Sequence, residues 1–358
     1  MKPYLPLEII TNILLRLSPQ NIATCKCVCK PWLNLIESDA FVESHLVKSG
    51  LALAVSIAKL DSNWFSVFKL EDELEPFSNW FDVFAKHGPI TKFDFRREST
   101  TIQSCVNGLL LLKNAFIDDH LYVCNPITCE YVELSGHVIR EGDRFGFGVS
   151  KISGRHKVVY HSPESGLHVY TLEAGSSWRA VEAAPPFPSY CESSICGAFF
   201  SGNLHWLVKS RTGIPDVCCF DLETERFSAF SAPLAEIPFT IGETSYSLDA
   251  TGGSLEKCWT MVRLMHDHSY DYGYKRGCWQ PIRIYRNGGV LMLSPRHKRF
   301  LYYSMEKRCV VGIDLAGEID HDCLYFNSVL FTPSFLSLKR NLGMENARSL
   351  KRNLGIRM

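Results

Sequence analysis

Residues 5–36 have the sequence LPLEIITNILLRLSPQNIATCKCVCKPWLNLI, and most inferences about this chain start from this stretch. Its first half repeats apolar residues at intervals of three and four, as at Leu7, Ile10, Leu14 and Leu17. This is the spacing of one face of an α-helix, and Ile9 and Ile13 are expected to widen that face. The stretch therefore opens with a predicted amphipathic helix.

Three further helices are predicted from their starting residues. Ser18-Pro19 is typical of an N-cap followed by proline in the first helical turn. Pro31 indicates the start of a third helix, and Asp39 is expected to cap a fourth. Such a unit of about 45 residues buries little area by itself, so we expect it to pack on another part of the chain.

The same residues resemble an F-box. The pattern Leu-Pro-x-Glu begins at Leu5, Ile-Leu-x-Arg-Leu begins at Ile13, and Cys-Val-Cys-Lys-x-Trp ends at Trp32, in the family's order. Residues 21 and 24 are Asn and Thr, where family members often carry basic residues, so adaptor affinity is expected to be weaker. The resemblance implies binding to a Skp-type adaptor, which docks on a cullin–RING ubiquitin ligase. By position, the implied adaptor-binding residues and their supports are Leu5, Pro6, Ile9, Ile13, Leu14, Leu17, Pro19, Val28 and Trp32, the last two holding the second and third helices together.

From residue 51 onward the pattern changes to short strands. Runs of four to seven apolar residues are interrupted by Gly, Pro, Asn, Asp and Ser, which is typical of antiparallel meanders. The clearest predicted strands are Leu109–Leu112, Leu121–Cys124, Tyr131–Leu134, Lys157–Tyr160, Leu167–Leu172, Ala198–Phe200, Leu204–Val208, Val217–Phe220, Arg283–Tyr285, Val290–Leu293 and Phe300–Ser304.

A faint repeat runs through this part. Glycine begins a hydrophobic strand at Gly108, Gly202 and Gly288, and Tyr122, Tyr170 and Phe220 follow as second-strand aromatics. A period of about 40–50 residues with four strands each is typical of β-propeller blades. About 290 residues at this period predict roughly six blades, with Ser334–Leu338 as a candidate closing strand. Domain boundaries follow as 1–48 for the F-box, 51–338 for a β-propeller-like domain and 339–358 for a basic tail.

The β part also resembles the plant F-box-associated domain, of kelch type. The likeness rests on Cys105–Leu109 with Val123–Thr128, on Phe145–Gly148, and on Gly202–Trp206 with Phe220–Phe227. It implies that the domain recruits a substrate protein and leaves that substrate unidentified. The loops Pro185–Ser194 and His266–Gly277 are candidate rim loops for this task.

Composition narrows the function classes. Lys plus Arg and Asp plus Glu each number 38, so the chain lacks the cationic surplus that non-specific nucleic-acid binding needs, and no nucleic-acid partner is expected. No apolar run approaches the ~20 residues of a membrane span, so no membrane association is expected. The 14 cysteines are expected to be reduced thiols in the cytoplasm and/or nucleus.

No catalytic constellation, cofactor or metal is expected. No phosphate-binding loop and no Gly-x-Ser-x-Gly elbow occur. His266, Asp267, His268 and Asp271 form the densest potential metal cluster, and they are interpreted as a solvated loop. Cys25, Cys27 and Cys29 lack a second Cys/His pair at zinc-finger spacing.

The tail contains a duplication. Residues 337–343 have the sequence SLKRNLG, which recurs at 349–355. A disordered basic end after a local duplication is predicted, with a nuclear-import or anion-contacting tail as the alternative.

The sequence therefore predicts a non-catalytic substrate receptor of a Skp–cullin–F-box ubiquitin ligase. Two alternatives stay open. The β domain could be a ligand- or glycan-binding propeller or a hydrolase beside a vestigial F-box, since a fold does not determine a function. The chain could also bind the adaptor without any substrate that turns over.

Overall fold

The computed structural model describes residues 5–59, 63–70, 88–95, 100–114, 121–136, 140, 143–183, 196–208, 216–231, 280–294, 298–304, 306–307, 309–313 and 323–352. Within them the helices are α1 (Leu7–Leu14), α2 (Pro19–Cys25), α3 (Lys30–Ile36) and α4 (Asp39–Lys48). The strands are β1 (Ala52–Lys59), β2 (Asn63–Lys69), β3 (Thr91–Asp94), β4 (Thr100–Val106), β5 (Leu109–Asn114), β6 (Leu121–Asn125), β7 (Glu130–Leu134), β8 (Arg144–Val149), β9 (His156–Ser162), β10 (Gly166–Thr171), β11 (Arg179–Val181), β12 (Cys196–Phe200), β13 (Asn203–Val208), β14 (Asp216–Asp221), β15 (Arg226–Ser231), β16 (Gln280–Ile284), β17 (Val290–Ser294), β18 (Arg299–Ser304), β19 (Cys309–Ile313), β20 (Cys323–Phe331), β21 (Arg348–Ser349) and β22 (Lys351–Arg352).

The helix starts follow local capping chemistry. Ser18 is the N-cap of α2, and its Oγ accepts a hydrogen bond from the backbone N–H of Asn21 at 3.4 Å, as predicted. The expected cap of α4 was wrong by one residue. Ser38 has the extended backbone of an N-cap and accepts from the N–H of Phe41, whereas Asp39 lies inside the first turn. There its carboxylate faces the positive end of the helix dipole.

The β domain consists of four-stranded antiparallel blades, which confirms the propeller-like fold. Blade 2 is β4 to β7, blade 3 is β8 to β11, blade 4 is β12 to β15 and blade 5 is β16 to β19, with blades 3 and 4 joined into one eight-stranded sheet by a short parallel pairing of β8 with β12. Blade 1 combines β20 with β1, β2 and β3. The innermost strands β20, β4, β8 and β12 contact one another in that order, and β16 contacts β20. Five blades are present in the described residues, and any further blade would fall on residues 232–279, outside them.

The two ends of the domain meet in blade 1, where the C-terminal strand β20 pairs with the N-terminal strand β1. β20 pairs with β1 antiparallel, from Ala52 opposite Phe331 to Lys59 opposite Cys323. The candidate closing strand Ser334–Leu338 was therefore wrong, because it follows β20. The Nδ2 of Asn125 instead donates to the carbonyl oxygens of Ser334 and Leu336, at 3.0 and 2.8 Å, and holds this segment across the end of blade 2.

The repeat marks equivalent places in the blades. Gly108, Gly202 and Gly288 each lie between the first and second strands of a blade. The predicted aromatics Tyr122 and Tyr170 lie one strand later than expected, on the third strands β6 and β10, as Phe220 does on β14. Sequence spacing detects the period and leaves the strand order undetermined, since second and third strands such as β5 and β6 are both apolar and buried.

The alternation of strands gives the propeller two rims. The turns that join first to second strands and third to fourth strands lie on one rim. α4 leads into β1 and the chain leaves β20 on this same rim, so we call it the helix-side rim. The remaining connections lie on the opposite rim.

The helices share one hydrophobic core with blades 1 and 2. Leu14, Ile22, Ile36, Phe41 and Val42 are buried on the helical side. Their partners in the same cluster are Ala52, Ala54, Phe65, Val67, Phe93, Phe95, Ile102, Leu110, Leu112, Tyr122, Cys124, Ile127, Phe331 and Phe335. Full burial of each large apolar side chain is worth about 1.5–3 kcal/mol. The small helical unit is therefore stabilised by packing on the propeller, as expected.

The prediction of a disordered tail was wrong for residues 339–352. Arg348 and Ser349 pair with β7, and Lys351 and Arg352 pair with β3. Met344 and Ala347 are buried between blades 2 and 3. The basic side chains of Lys339, Arg340 and Arg348 are exposed while Met344 and Ala347 between them are buried, which charge counting cannot detect.

We expect Gly108→Ala to destabilise the fold more than Gly154→Ala. Both glycines occupy first-to-second-strand turns at positive φ, +79° and +65°, so both alanines pay a similar backbone penalty of about 1–2 kcal/mol. A Cβ at Gly108 would overlap the side chain of Ser334 and lie 3.0 Å from its nitrogen, whereas nothing lies within 4 Å at Gly154. The overlap should add about 1–3 kcal/mol, measurable by urea unfolding. Equal losses for the two variants would contradict this packing.

We expect the stability to fall between pH 6.5 and pH 4. Burial lowers the pKa of His45 and of His156 from 6.5 to about 4. The unfolded chain takes up these protons below pH 6.5 while the folded chain does not, so full stability holds above pH 6.5 and declines as pH drops. Each histidine should cost about 2 kcal/mol at pH 5.

Urea unfolding at pH 7.5 and pH 5 measures this loss. His45→Phe keeps an aromatic ring against Phe41 and Phe335 and removes one titrating group. The loss on acidification should shrink in this variant, and an unchanged loss would exclude His45 as a contributor.

Candidate partner-binding surface

α1 has apolar side chains on two adjacent sides, about 100° apart around the helix axis. Ile10 and Leu14 pack into the core shared with the propeller. Ile9 and Ile13, four residues apart on the same side of the helix, remain 45% and 49% exposed. A helix that needed only a core would carry polar residues on this second side, so the pair indicates a partner surface.

The exposed apolar surface extends beyond α1. Leu5 is 57% exposed, Pro6 is exposed, and Val28, in the turn between α2 and α3, is 62% exposed. Together with Ile9 and Ile13 these residues form what we call the apolar surface of the helical domain. Solitary exposed apolar residues are common, but a group confined to one small unit marks an interaction site.

The other predicted residues lie deeper. Leu14 is buried at 1% exposure, while Leu17 and Trp32 are half-buried against the shared core, and Pro19 is half-buried at the start of α2. These residues support the surface from below. The expectation that Val28 holds α2 and α3 together was wrong, because its side chain points to solvent from a turn while Trp32 reaches the core.

Leu7 is a further exposed apolar residue of α1. Helical spacing placed it on one face with Ile10 and Leu14, yet it is 58% exposed. Leu7 is the first residue of α1, where no further turn lies before it. The sequence signal for its exposure was its position next to Leu5 and Pro6, which were already predicted to touch the adaptor.

The positions that depart from the family pattern take part in local hydrogen bonds within α2, Asn21 through its backbone and Thr24 through its side chain. Asn21 provides the N–H that Ser18 caps, and Thr24 Oγ1 donates to the carbonyl of Gln20 at 3.1 Å. Both are exposed on α2 and leave the apolar surface intact.

Within the described ranges no group of three or more His, Cys, Asp or Glu side chains could hold a metal ion. Cys25 is half-buried, whereas Cys27 and Cys29 are exposed. The His266–Asp271 cluster and both candidate rim loops, Pro185–Ser194 and His266–Gly277, lie outside the described residues. No helix in the described part of the chain is long and apolar enough to cross a membrane.

The polar clusters of the propeller have structural partners. Lys157 Nζ donates to the carbonyl of Leu222 at 2.6 Å and to Glu225 Oε1 at 2.9 Å, and Arg179 donates to both oxygens of Glu225 at 2.7 Å. Burial opposes ionisation of Glu225, but the hydrogen bonds from Arg179 and Lys157 hold its pKa below the usual value. This cluster joins blade 3 to blade 4. Asp221 Oδ1 caps the same turn by accepting from the N–H groups of Glu223 and Thr224.

Comparison with known families agrees with both halves of the chain. Residues 3–44 match the F-box domain, and residues 54–247 match the F-box associated beta propeller domain, which covers more than half of the chain. The chain belongs to the F-box-associated β-propeller family. The kelch type stays a prediction.

Relatives of this F-box protein occur in Arabidopsis thaliana. It is 26% identical over 246 residues to "Putative F-box protein At3g16210", covering 65% of this chain and 62% of the relative. It is 29% identical over 228 residues to "F-box protein At5g65850", covering 62% of this chain and 55% of the relative. The alignments thus span between about half and two thirds of the relatives' length.

Among solved structures, a chain of "Crystal structure of Nidogen/Laminin Complex" aligns with 79% of this F-box protein and 99% of its own length. The TM-score is 0.38 and the sequence identity is 9%. A likeness at this level carries no functional information.

We expect Leu14→Ala and Ile13→Ala to differ sharply although the two residues are adjacent. Leu14 is buried in the shared core, so its truncation should cost about 2–5 kcal/mol of stability. Ile13 is half exposed and its truncation should cost less than about 1 kcal/mol. Chemical unfolding of both variants checks this, and a large loss for Ile13→Ala would place it in the core instead.

Proposed function

We propose that this chain is the substrate-recognition subunit of a Skp–cullin–F-box ubiquitin ligase. Its F-box would bind a Skp-type adaptor and, through it, a cullin–RING ligase. Its propeller would bind a target protein for ubiquitination and degradation. The observation that carries the proposal is the apolar surface of Leu5, Pro6, Ile9, Ile13 and Val28, exposed on a unit whose other side is already packed on the propeller.

Adaptor binding accounts for this surface energetically. Its large side chains are 45–62% exposed, so each can still lose apolar area to a partner. Transfer of apolar area from water contributes about 25 cal/mol per Å². Leu14, Leu17 and Trp32 would hold this surface in shape from within, and Pro19 would fix the start of α2.

The proposed contribution to catalysis is proximity. A receptor that holds the adaptor at one end and the substrate at the other raises the effective concentration of substrate lysines near the conjugating enzyme. No catalytic side chain of this chain is needed for that step. We propose the cytoplasm and/or nucleus as the site of action.

We further assign the substrate to the opposite rim of the propeller. The helices and residues 332–350 cover the helix-side rim over blades 1, 2 and 3, through the shared core and the packing of Leu338 and Met344. A substrate on the opposite rim would lie across the propeller from the adaptor.

The test is co-expression of the full chain with a plant Skp-type adaptor. Leu5→Ala combined with Pro6→Ala should weaken the complex at least tenfold, because both side chains are exposed and lose only partner contacts. Isothermal titration or biolayer interferometry measures the affinity, and circular dichroism should show an unchanged fold.

Val47→Ala is the matched control. Val47 is apolar and 87% exposed on α4, and it lies outside the proposed surface. Its truncation should leave adaptor affinity within about twofold. A folded wild-type chain that binds no adaptor, or a loss of affinity as large for Val47→Ala, would contradict the proposal.

A further inference from the structure

Residues 332–350 lie between the F-box and the propeller, and we call them the C-terminal strap. They follow β20 on the helix-side rim and contact α2, α3 and α4 on one side and blade 2 on the other. Phe335 belongs to the core shared by the helices and blades 1 and 2, while Leu338 belongs to the core between blades 2 and 3. One short segment thus takes part in both cores.

The contacts on the F-box side are aromatic and polar. The ring of Phe335 meets the His45 ring edge-on at 5.0 Å, and Lys26 Nζ lies 5.4 Å from its centroid. Asn341 Nδ2 donates to the carbonyl of Glu37 at 3.3 Å and to Asp39 Oδ1 at 2.6 Å. Asn341 therefore holds the junction between α3 and α4.

Glu37 adds an ionic contact at the same junction. Its carboxylate, 13% exposed, pairs with Lys26 of the F-box at 3.2 Å and also with Arg340 of the strap. Arg340 itself is 55% exposed, so solvent weakens its share of the attraction. Of the two strap residues, Asn341 therefore contributes more to the attachment through its hydrogen bonds than Arg340 does through its ion pair.

The contacts on the propeller side are equally specific. The carboxylate of Glu130 accepts from Ser337 Oγ at 3.0 Å and from the N–H of Leu338 at 2.7 Å. Asn125 holds the carbonyls of Ser334 and Leu336. The strap is therefore anchored to blade 2 independently of the F-box.

The covalent connection alone is short and offers little rigidity. α4 ends at Lys48, and only residues 49–51 separate it from β1. Gly50 has nothing within 4 Å of the place where a Cβ would lie, so this linker is not packed there. Ser49 Oγ donates to the carbonyl of Pro333 at 2.8 Å, which ties the linker to the strap.

We propose that the C-terminal strap is a clamp that fixes the orientation of the F-box on the propeller, with Arg340 and Asn341 as its positioning residues on the F-box side. This inference rests on the proposed function for its biological meaning, since a fixed orientation sets the distance between adaptor and substrate. Its physical content, restricted motion of the F-box, does not require an adaptor.

The duplicated sequence provides a matched control within the chain. Arg340 and Asn341 lie in the first copy of SLKRNLG, and Arg352 and Asn353 occupy the same places in the second copy. Both double alanine variants remove the same chemical groups from the same local sequence. Arg340→Ala with Asn341→Ala removes the contacts to Glu37 and Asp39.

The experiment is hydrogen–deuterium exchange by mass spectrometry on the full chain. Arg340→Ala/Asn341→Ala should raise the exchange of amides in α4 about tenfold. Exchange in β8, β9 and β10 should stay unchanged, and Arg352→Ala/Asn353→Ala should leave α4 and these three strands as in the wild type. Small-angle scattering should show a larger radius of gyration for the first variant only.

Three outcomes would overturn the clamp. The first is unchanged exchange in α4 of the Arg340→Ala/Asn341→Ala variant. The second is an equal rise of α4 exchange in both double variants. The third is a rise of exchange that also extends through blades 3 and 4, because the strap would then stabilise the whole fold and not the F-box orientation. Adaptor affinity, measured separately for each variant, should stay within about twofold of the wild type. Absence of adaptor binding by the wild-type chain would reject the proposed function and leave the exchange result valid.

Discussion

The hydrophobic core that the four helices share with blades 1 and 2 is the contact on which the remaining arrangement depends. A unit of about 45 residues cannot bury enough apolar area to be stable alone. Leu14, Ile36 and Phe41 find their partners in the propeller instead. Because this packing uses one side of α1, the adjacent side, with Ile9 and Ile13, is left exposed for a partner. Stability and the proposed binding surface thus have one origin.

The same contact distinguishes the two rims of the propeller. The helices connect to β1 and the C-terminal strap follows β20 on the same rim, because β1 and β20 are antiparallel neighbours in blade 1. Phe335 and Asn341 then join the strap to the helices. An adaptor and a substrate bound to different rims would be separated by the propeller, and a rigid connection would keep that separation constant.

Local signals in the sequence were reliable where the chemistry is local. Ser18 caps α2 because a serine oxygen reaches an N–H three residues later whatever surrounds it. Asn107 and Gly108 form a turn because both adopt positive φ, 50° and 79°. The strand segments were found because apolar runs between turn residues form strands in many contexts. The exposure of Leu7 and Val28 could not be predicted from spacing, since exposure depends on which neighbours cover a residue.

The sequence by itself determined the order of the two domains, the positions of the helices and most strands, and the family to which the chain belongs. Tertiary structure alone decided what the repeated SLKRNLG does. In the first copy Leu338 is fully buried and Asn341 binds the F-box junction, whereas in the second copy Ser349 pairs with β7 and Lys351 with β3. Identical residues have identical propensities, so the difference comes from the surfaces that each copy meets: the carboxylate of Glu130 in one case, and the unpaired edges of β7 and β3 in the other.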